Sequence, residues 1–420
     1  MMLSKNNFKT IWVLLISAYS IFMVYGSAIP NILLGALASF FIYGVITKNI
    51  IFSANKLKWV FVFSSFYFIY MASLLYSENM NYGLKKIEIQ SILFLTPLII
   101  ISARELLNKK DILRVIQYNI IASVFFVFVS FAFAAKNYFT LEAVGSSFFM
   151  ERNLSTAFVD LHFLELALLI SFNIVSLVYL RLNEKDYVFK YLKRYFMVIL
   201  ILLILFLVLL NSRTALLAAA LTAFIVVFIH DRRAKNYKIS IIAFTTIALF
   251  FMGNYTLNKA FKGKINEALN IDVTYSESKN WGGRGIRTLI WKCATKVLDD
   301  NLWLGVGVGD QQDELTLCYK KYRYGPLIFK NRNFNAHNIF FQSLLKSGLI
   351  GFLFYLTSLI YPCYYSIKKK NYFYIAFIII FILNGTTESL LQVNFGVTFF
   401  SFFNAILFNL NYNNESITST

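Results

Sequence analysis

ILLILFLVLLNSRTALLAAALTAFIVVFIH, residues 201–230, carries no formal charge except at Arg213. Two apolar runs are parted only by Asn211, Ser212 and Arg213. A helix on a soluble core keeps a polar face, and these runs have none. A bilayer core about 30 Å thick is crossed by roughly 20 apolar helical residues, which satisfy their own backbone groups. The stretch therefore reads as two membrane-spanning helices joined by a tight hairpin. Outward from it, similar runs stand near 10–26, 29–47, 57–76, 87–103, 112–135, 156–180, 195–211, 214–230, 239–254, 338–366, 371–385 and 392–410. The expected fold is an all-α polytopic membrane protein with about 12 transmembrane helices. Composition agrees: the 420 residues are 58% hydrophobic and 18% aromatic, with a mean hydropathy of +0.61. The first apolar run is expected to remain as a span rather than to be removed as a signal peptide.

The net charge of +19 invites a nucleic-acid partner, but its distribution argues otherwise. Lys48, Lys56 and Lys58, then Arg104, Lys109 and Lys110, then Arg181, Lys185, Lys190, Lys193 and Arg194 fall in alternate loops. Arg232, Arg233, Lys235 and Lys238, then Lys368, Lys369 and Lys370, continue the series, while loops such as 26–31 and 384–392 have almost no basic residue. This positive-inside pattern puts both termini in the cytoplasm. Three regions follow: spans in 1–254, a large external loop at 255–336, and the last spans with a short tail at 337–420. The loop is rich in Lys, Arg and Tyr, which points to an anionic partner outside. Cys293 and Cys318 both lie in it, where an oxidising compartment permits a disulfide; sequence alone does not supply the geometry.

Three basic positions share the outer side. Arg213 sits at the hairpin and reads either as an interfacial anchor or as a fixed cation facing a phosphate. Arg287 lies in GGRGIRTLIWKCATKVLDD, residues 282–300. Here Ile286, Leu289, Ile290, Cys293, Ala294, Val297 and Leu298 recur at helical spacing, the mark of an amphipathic helix. Arg284, Arg287 and Trp291 share another face of that helix, which is either a solvated surface or a binding face. His337 opens the span near 338–366, beside Asn338. It reads either as a helix-end cap or as a group that exchanges protons near neutral pH.

Weaker signals carry less. LGVGVGD (Leu304–Asp310) lacks the Lys-Ser/Thr of a P-loop and the spacing of a dinucleotide fingerprint, so a tight external turn explains it better. His162 and His230 fall toward opposite sides, so no zinc cluster of His and Cys forms, and the sequence requires no metal. Asp299 and Asp300 end the amphipathic helix. Asp160 and Glu165 read as intramembrane carboxylates or as interfacial ones.

His337-Asn338, nine residues, Gly348, two residues, Gly351 fits the pattern His-(Asn/Ser/Gln)-x9-Gly-x2-(Gly/Thr/Tyr). It resembles the signature of bacterial O-antigen ligases, whose superfamily includes O-antigen polymerases and protein O-oligosaccharyltransferases. Arg213 to Leu217 is similar to the family's Arg-x3-Leu element. Arg287 and Trp291, with the glycines of 305–309, resemble its periplasmic-loop block. The resemblance covers the whole architecture and implies a GT-C-like fold in the inner membrane, with short amphipathic helices in the loop and an active site facing the periplasm. It implies a donor, undecaprenyl-pyrophosphate-linked O-antigen, and an acceptor, lipid A-core, with no nucleotide, metal or other cofactor. In the chemistry it implies, a sugar hydroxyl attacks the anomeric carbon with inversion and lipid pyrophosphate leaves. Arg213 and Arg287 would hold its oxygens. His337 would act as general base or only position the acceptor. Arg284, Trp291 and Asn338 would contact donor or sugar. The cluster of Lys320, Lys321, Arg323, Lys330 and Arg332 would meet core phosphates, or is a solvated loop.

Two other functions compete. A polymerase would use the same donor and a second lipid-linked glycan. A non-catalytic transporter of lipid-linked sugar would place charges near mid-membrane and show repeat symmetry.

Overall fold

The computed structural model describes residues 3–26, 28–140, 149–156, 158–159, 161–246, 283–328 and 334–413. The expected span at 239–254 is therefore described only through residue 246, and Asp160, Lys330 and Arg332 lie outside the described residues. The main helices are α1 (Lys5–Phe22), α2 (Ala28–Ile46), α3 (Ala54–Ala72), α4 (Met80–Gln90), α5 (Ile92–Ser102), α6 (Lys109–Thr140) and α7 (Phe163–Asn183). They continue with α8 (Phe196–Leu209), α9 (Arg213–Ala234), α10 (Gly283–Asn301), α11 (Gln311–Lys321), α12 (Ile339–Lys368), α13 (Tyr372–Gly385) and α14 (Asn394–Phe408).

Among the described residues, seven helical segments are long and apolar enough to cross a membrane: Lys5–Tyr25, Ala28–Ile46, Ala54–Tyr76, Lys109–Thr140, Phe163–Asn183, Arg213–Ala234 and Ile339–Lys368. Phe196–Leu209 and Tyr372–Gly385 are shorter apolar helices. The single span expected at 87–103 is instead two helices, α4 and α5, joined at Ser91. α4 itself starts earlier, on a polar stretch, where Asn79 accepts a hydrogen bond from the Tyr82 N–H. Short polar caps recur, with Ser53 opening α3 and Asn371 opening α13, each satisfying an orphan N–H of the first turn.

α14 is the axis of the bundle. Every residue from Phe395 to Phe408 is buried, Thr398, Ser401 and Asn404 included, as in a helix surrounded by protein. Phe172 of α7 and Phe403 of α14 pack with ring centroids 4.4 Å apart, and Phe381 of α13 lies 4.3 Å from Phe400. Around it, α9 packs on α7 and α13, while α3 packs on α5 and α12. By contrast, α8 exposes Met197, Val198, Ile201 and Leu205, the face such a helix presents to lipid.

Residues 286–328 and 334–345 build a second apolar cluster. Leu289, Ile290, Cys293, Ala294 and Leu298 of α10 are buried there, with Ile286 and Val297 packed against them. The helical spacing thus marks a face docked on protein. Cys293 and Cys318 form a disulfide between α10 and α11, with Cα atoms 5.7 Å apart.

The glycine-rich stretch 304–310 joins this cluster to the bundle rather than standing as an isolated turn. α12 breaks at Gly348, whose φ is +58°. Across the break, Val306 N–H donates to the Leu345 carbonyl at 2.8 Å and Leu349 N–H to that of Leu302 at 2.8 Å. A Cβ at Gly348 would lie 2.3 Å from the Trp303 carbonyl, and one at Gly305 2.5 Å from that of Leu345, so only glycine permits the approach. On the other side, Val308 and Gly309 N–H donate to Ser73 Oγ and Ser77 Oγ, both at 3.1 Å. Asp310 accepts from the Glu78 and Asn79 N–H groups at 2.8 and 2.7 Å.

The break also redirects the chain. Ser343 Oγ meets Tyr70 Oη at 2.9 Å, while Gly351 lies against Ile69, the neighbouring residue of α3. A straight helix would separate positions 343 and 351 by about 12 Å along its axis. Residues 339–347 therefore do not continue straight along the axis of the helix beyond Gly348.

Candidate functional site

The site forms where the start of α12 meets the turn after α13. Asn338 Oδ1 accepts from the Phe340 and Phe341 N–H groups at 2.8 and 3.1 Å, and its Nδ2 donates to the Thr386 carbonyl at 3.0 Å. Asn338 is thus the N-cap of α12 and ties it to residues 386–389. His337 is not the cap. Its φ is +43°, a left-handed conformation that costs a non-glycine residue about 1–3 kcal/mol and is concentrated at functional sites.

The surroundings hold that conformation. Trp291 Nε1 donates to the Ala336 carbonyl at 2.9 Å, the Ala336 N–H to Gln342 Oε1 at 3.1 Å, and the His337 N–H to Asn335 Oδ1 at 2.9 Å. Trp291 also stacks on Phe341, with centroids 6.0 Å apart. Its N–H is committed to the backbone beside the histidine.

Glu388 joins the two cationic positions. Its Oε1 accepts from Arg287 Nη2, and its Oε2 lies 3.2 Å from His337 Nδ1. The three side chains retain 17–28% exposure, so the cluster is supported by protein yet open to a ligand. An ionised carboxylate only accepts, so Nδ1 carries the proton and Nε2 is left as the acceptor of the ring. Among the described residues none hydrogen-bonds Nε2.

Arg213 arrives from a third direction. It is the first residue of α9 and is exposed. Its neighbour Thr214 shares a hydrogen bond of 3.2 Å with Thr387, the residue before Glu388. Arg213, Arg287 and His337 are thereby brought to the ends of α9, α10 and α12 around one turn.

The remaining candidates divide. Arg284 lies in the first turn of α10, and the description covers its backbone only. Lys321 and Arg323 are exposed at and just beyond the end of α11, and no described contact joins them to Glu388. Glu314, in the same helix, has its carboxyl pushed up by partial burial and then by the charges of Asp310, Glu78 and Asp313. Glu165 sits in the first turn of α7, away from this turn in the chain.

Sequence reading missed Glu388 and the amides behind it. Gln342 Nε2 donates to Gln311 Oε1, Ser389 Oγ donates to Gln342 Oε1 at 3.3 Å, and all three residues are buried. A signal existed: Glu388 is the one ionisable residue of 384–392, a polar turn between two apolar runs, where an ionisable residue is a functional candidate by default.

Fold and site together define a polytopic helical membrane protein with a carboxylate-bridged arginine and histidine at one end of its bundle. A family model described as O-antigen ligase matches residues 198–356. This match supports a place in the O-antigen ligase and polymerase superfamily, whose members are glycosyltransferase-like enzymes of O-antigen processing. The matched region holds Arg213, Arg287 and His337 and stops short of Glu388. No curated protein matches the chain.

Proposed function

We propose that the chain is an O-antigen ligase of the inner membrane. It transfers polysaccharide from undecaprenyl pyrophosphate to a sugar hydroxyl of lipid A-core on the periplasmic face. The observation that carries this reading is the bridge from Arg287 through Glu388 to His337, next to the turn that meets Thr214, the neighbour of Arg213.

The acceptor hydroxyl oxygen attacks the anomeric carbon of the donor. The bond from that carbon to the phosphate oxygen breaks, inverting the centre, and His337 Nε2 takes the hydroxyl proton. Glu388 fixes the imidazole tautomer and stabilises the imidazolium as it forms. Negative charge gathers on the leaving pyrophosphate. Arg287 gives one donor to Glu388 and keeps others for those oxygens, and Arg213 supplies a second guanidinium. Each arginine would lower the barrier by roughly 2–4 kcal/mol, by analogy with one oxyanion donor. Arg284, Lys321, Arg323 and Arg332 are proposed as outlying contacts to donor and core phosphates. Trp291 and Asn338 are proposed to act by holding His337 in place.

Purified protein incubated with undecaprenyl-pyrophosphate glycan and lipid A-core tests the reading. Glycan on lipid A-core supports a ligase. Longer glycan that stays on undecaprenyl replaces this reading with a polymerase.

A further inference from the structure

Lys346 is buried with 1% of its surface exposed, as deeply as any charged side chain described. It lies in α12 within a segment apolar enough to span a membrane. Its Nζ sits 4.8 Å from the centre of the Tyr70 ring. Among the described residues no carboxylate lies within ion-pair distance of it. Gln342, one turn before it, shares Gln311 Oε1 with Gln392, whose carbonyl meets Lys86 of α4. Lys86 is only partly buried and also lacks a carboxylate among the described residues; its Nζ reaches the Gln392 carbonyl at 3.4 Å. Two ammonium groups in one buried polar cluster repel, and a cation at membrane depth is costly without a counter-ion.

The walls around the pair are polar. Tyr70 Oη donates to Ser343 Oγ, one turn before Lys346. Gln90, one turn beyond Lys86, gives its Nε2 to the Leu391 carbonyl at 2.9 Å, and its Oε1 is buried with no partner. The 390–392 segment that anchors Lys86 and Gln90 directly follows Glu388 and Ser389. The redirected helix 339–347 carries both Gln342, which bonds to the backbone at Ala336, and Lys346. The pair is therefore linked to the cluster at His337 through α12 and through 388–392.

We infer that Lys86 and Lys346 form an anion subsite between α4, α12 and residues 389–392, and that it takes phosphate oxygens of the lipid-linked pyrophosphate. The inference rests on the function proposed above and deepens it. Arg213 and Arg287 meet the anion from the outer loops, and the lysines meet it from within the bundle. Partial exposure of Lys86 gives the anion its entrance. Once bound, it supplies the counter-ion that Lys346 lacks.

The test measures binding of undecaprenyl pyrophosphate to the purified full chain, with undecaprenol, inorganic pyrophosphate and phosphatidylglycerol nanodiscs as separate arms. Lys346→Met keeps the length of the side chain and removes the charge. It is expected to weaken undecaprenyl pyrophosphate binding by roughly 30-fold, the cost of removing one partner from a buried charge pair. Its thermal midpoint without ligand should be unchanged or higher, because an unpaired buried charge has gone. Lys86→Met, at a partly exposed position, should weaken binding in the same sense. Equal binding by wild type and both variants overturns the subsite. Should Lys346→Met fail to fold, Lys86→Met decides alone. Equal protection by inorganic pyrophosphate or phosphatidylglycerol overturns the assignment to lipid-linked pyrophosphate. Loss of binding in Arg287→Ala, with full binding in both lysine variants, leaves the proposed function standing and removes this inference. A wild type that does not bind the lipid at all overturns both.

Discussion

Replacing Glu388 by glutamine tests the centre of the mechanism with a change of two atoms' chemistry and no change of shape. The carboxylate now accepts from Arg287 on one oxygen and from His337 Nδ1 on the other. In the amide, the oxygen stays with the guanidinium, because the NH2 cannot face a donor. The NH2 is then turned to His337 Nδ1, which must become an acceptor. The ring proton moves to Nε2, and the position that should receive the acceptor's proton is already occupied. The expected loss is about 10²–10⁴-fold in kcat, the range for a misplaced general base. Folding should change little. Arg287 and Glu388 retain 27% and 17% side-chain exposure, and such a screened pair contributes at most about 1 kcal/mol. The assay is multiple-turnover ligation to lipid A-core, read for kcat and KM alongside the thermal midpoint. Glu388→Gln enzyme working within about threefold of wild type, well inside the range for a lost base, would refute the role of Nε2. A parallel collapse of midpoint and rate would make Glu388 structural instead.

Four further outcomes follow from other parts of the molecule. Gly348→Ala forces a Cβ to 2.3 Å from the Trp303 backbone at a φ of +58°, and the combined strain should cost roughly 2–4 kcal/mol in thermal unfolding; Gly35→Ala, with nothing within 4 Å, should be neutral or slightly stabilising. Cys293→Ser with Cys318→Ser opens a disulfide spanning 25 positions and should cost about 3 kcal/mol, seen as faster proteolysis within 283–328. Trp291→Phe keeps the stack on Phe341 but loses the bond to Ala336, about 1 kcal/mol of net stability, and should lower kcat more than the midpoint. Glu314 has a folded pKa raised above its unfolded one, so the folded state holds the proton longer; stability is lost as pH rises through the carboxylate range, and Glu314→Gln should raise the midpoint at pH 7 but not at about pH 3, below the ordinary carboxylate values.

The bundle was legible because lipid imposes long apolar runs and water does not. Residues 201–230 show it: α8 and α9 end and begin at the hairpin read from Asn211, Ser212 and Arg213. The docked face of α10 was legible from spacing, since burial follows the helical period. The division of 87–103 into α4 and α5 was not, because Asn79 starts a helix in polar sequence and Ser91 looks like one more small residue inside a span. Glu388 was not legible as a partner either. Its contacts with Arg287 and His337 span 101 and 51 residues, and no local pattern encodes which distant cation a carboxylate will meet. Lys346 was hidden for the opposite reason: within AHNIFFQSLLKSGLIG it reads as an ordinary polar position, and only burial shows it to lack a counter-ion.

The histidine and the glycine of one motif serve different physical ends that a single break in α12 connects. A straight helix from Ile339 would carry Ser343 about 12 Å from Gly351 along the axis, and its first turn would stand clear of α3. With φ at +58° in Gly348, residues 339–347 instead leave that axis, with Ser343 on Tyr70 and Lys346 over the same ring. The break leaves the Leu345 carbonyl and the Leu349 N–H without helical partners, and the backbone of 302–306 takes both. That backbone leads directly from the end of α10, which carries Arg287 and Trp291. The fixed spacing from His337 to Gly348 therefore sets the register between the helix bearing the arginine and the helix bearing the histidine. A residue inserted between them would turn the first segment by about 100°, carrying Asn338 off Thr386 and His337 off Glu388 while leaving every apolar run intact.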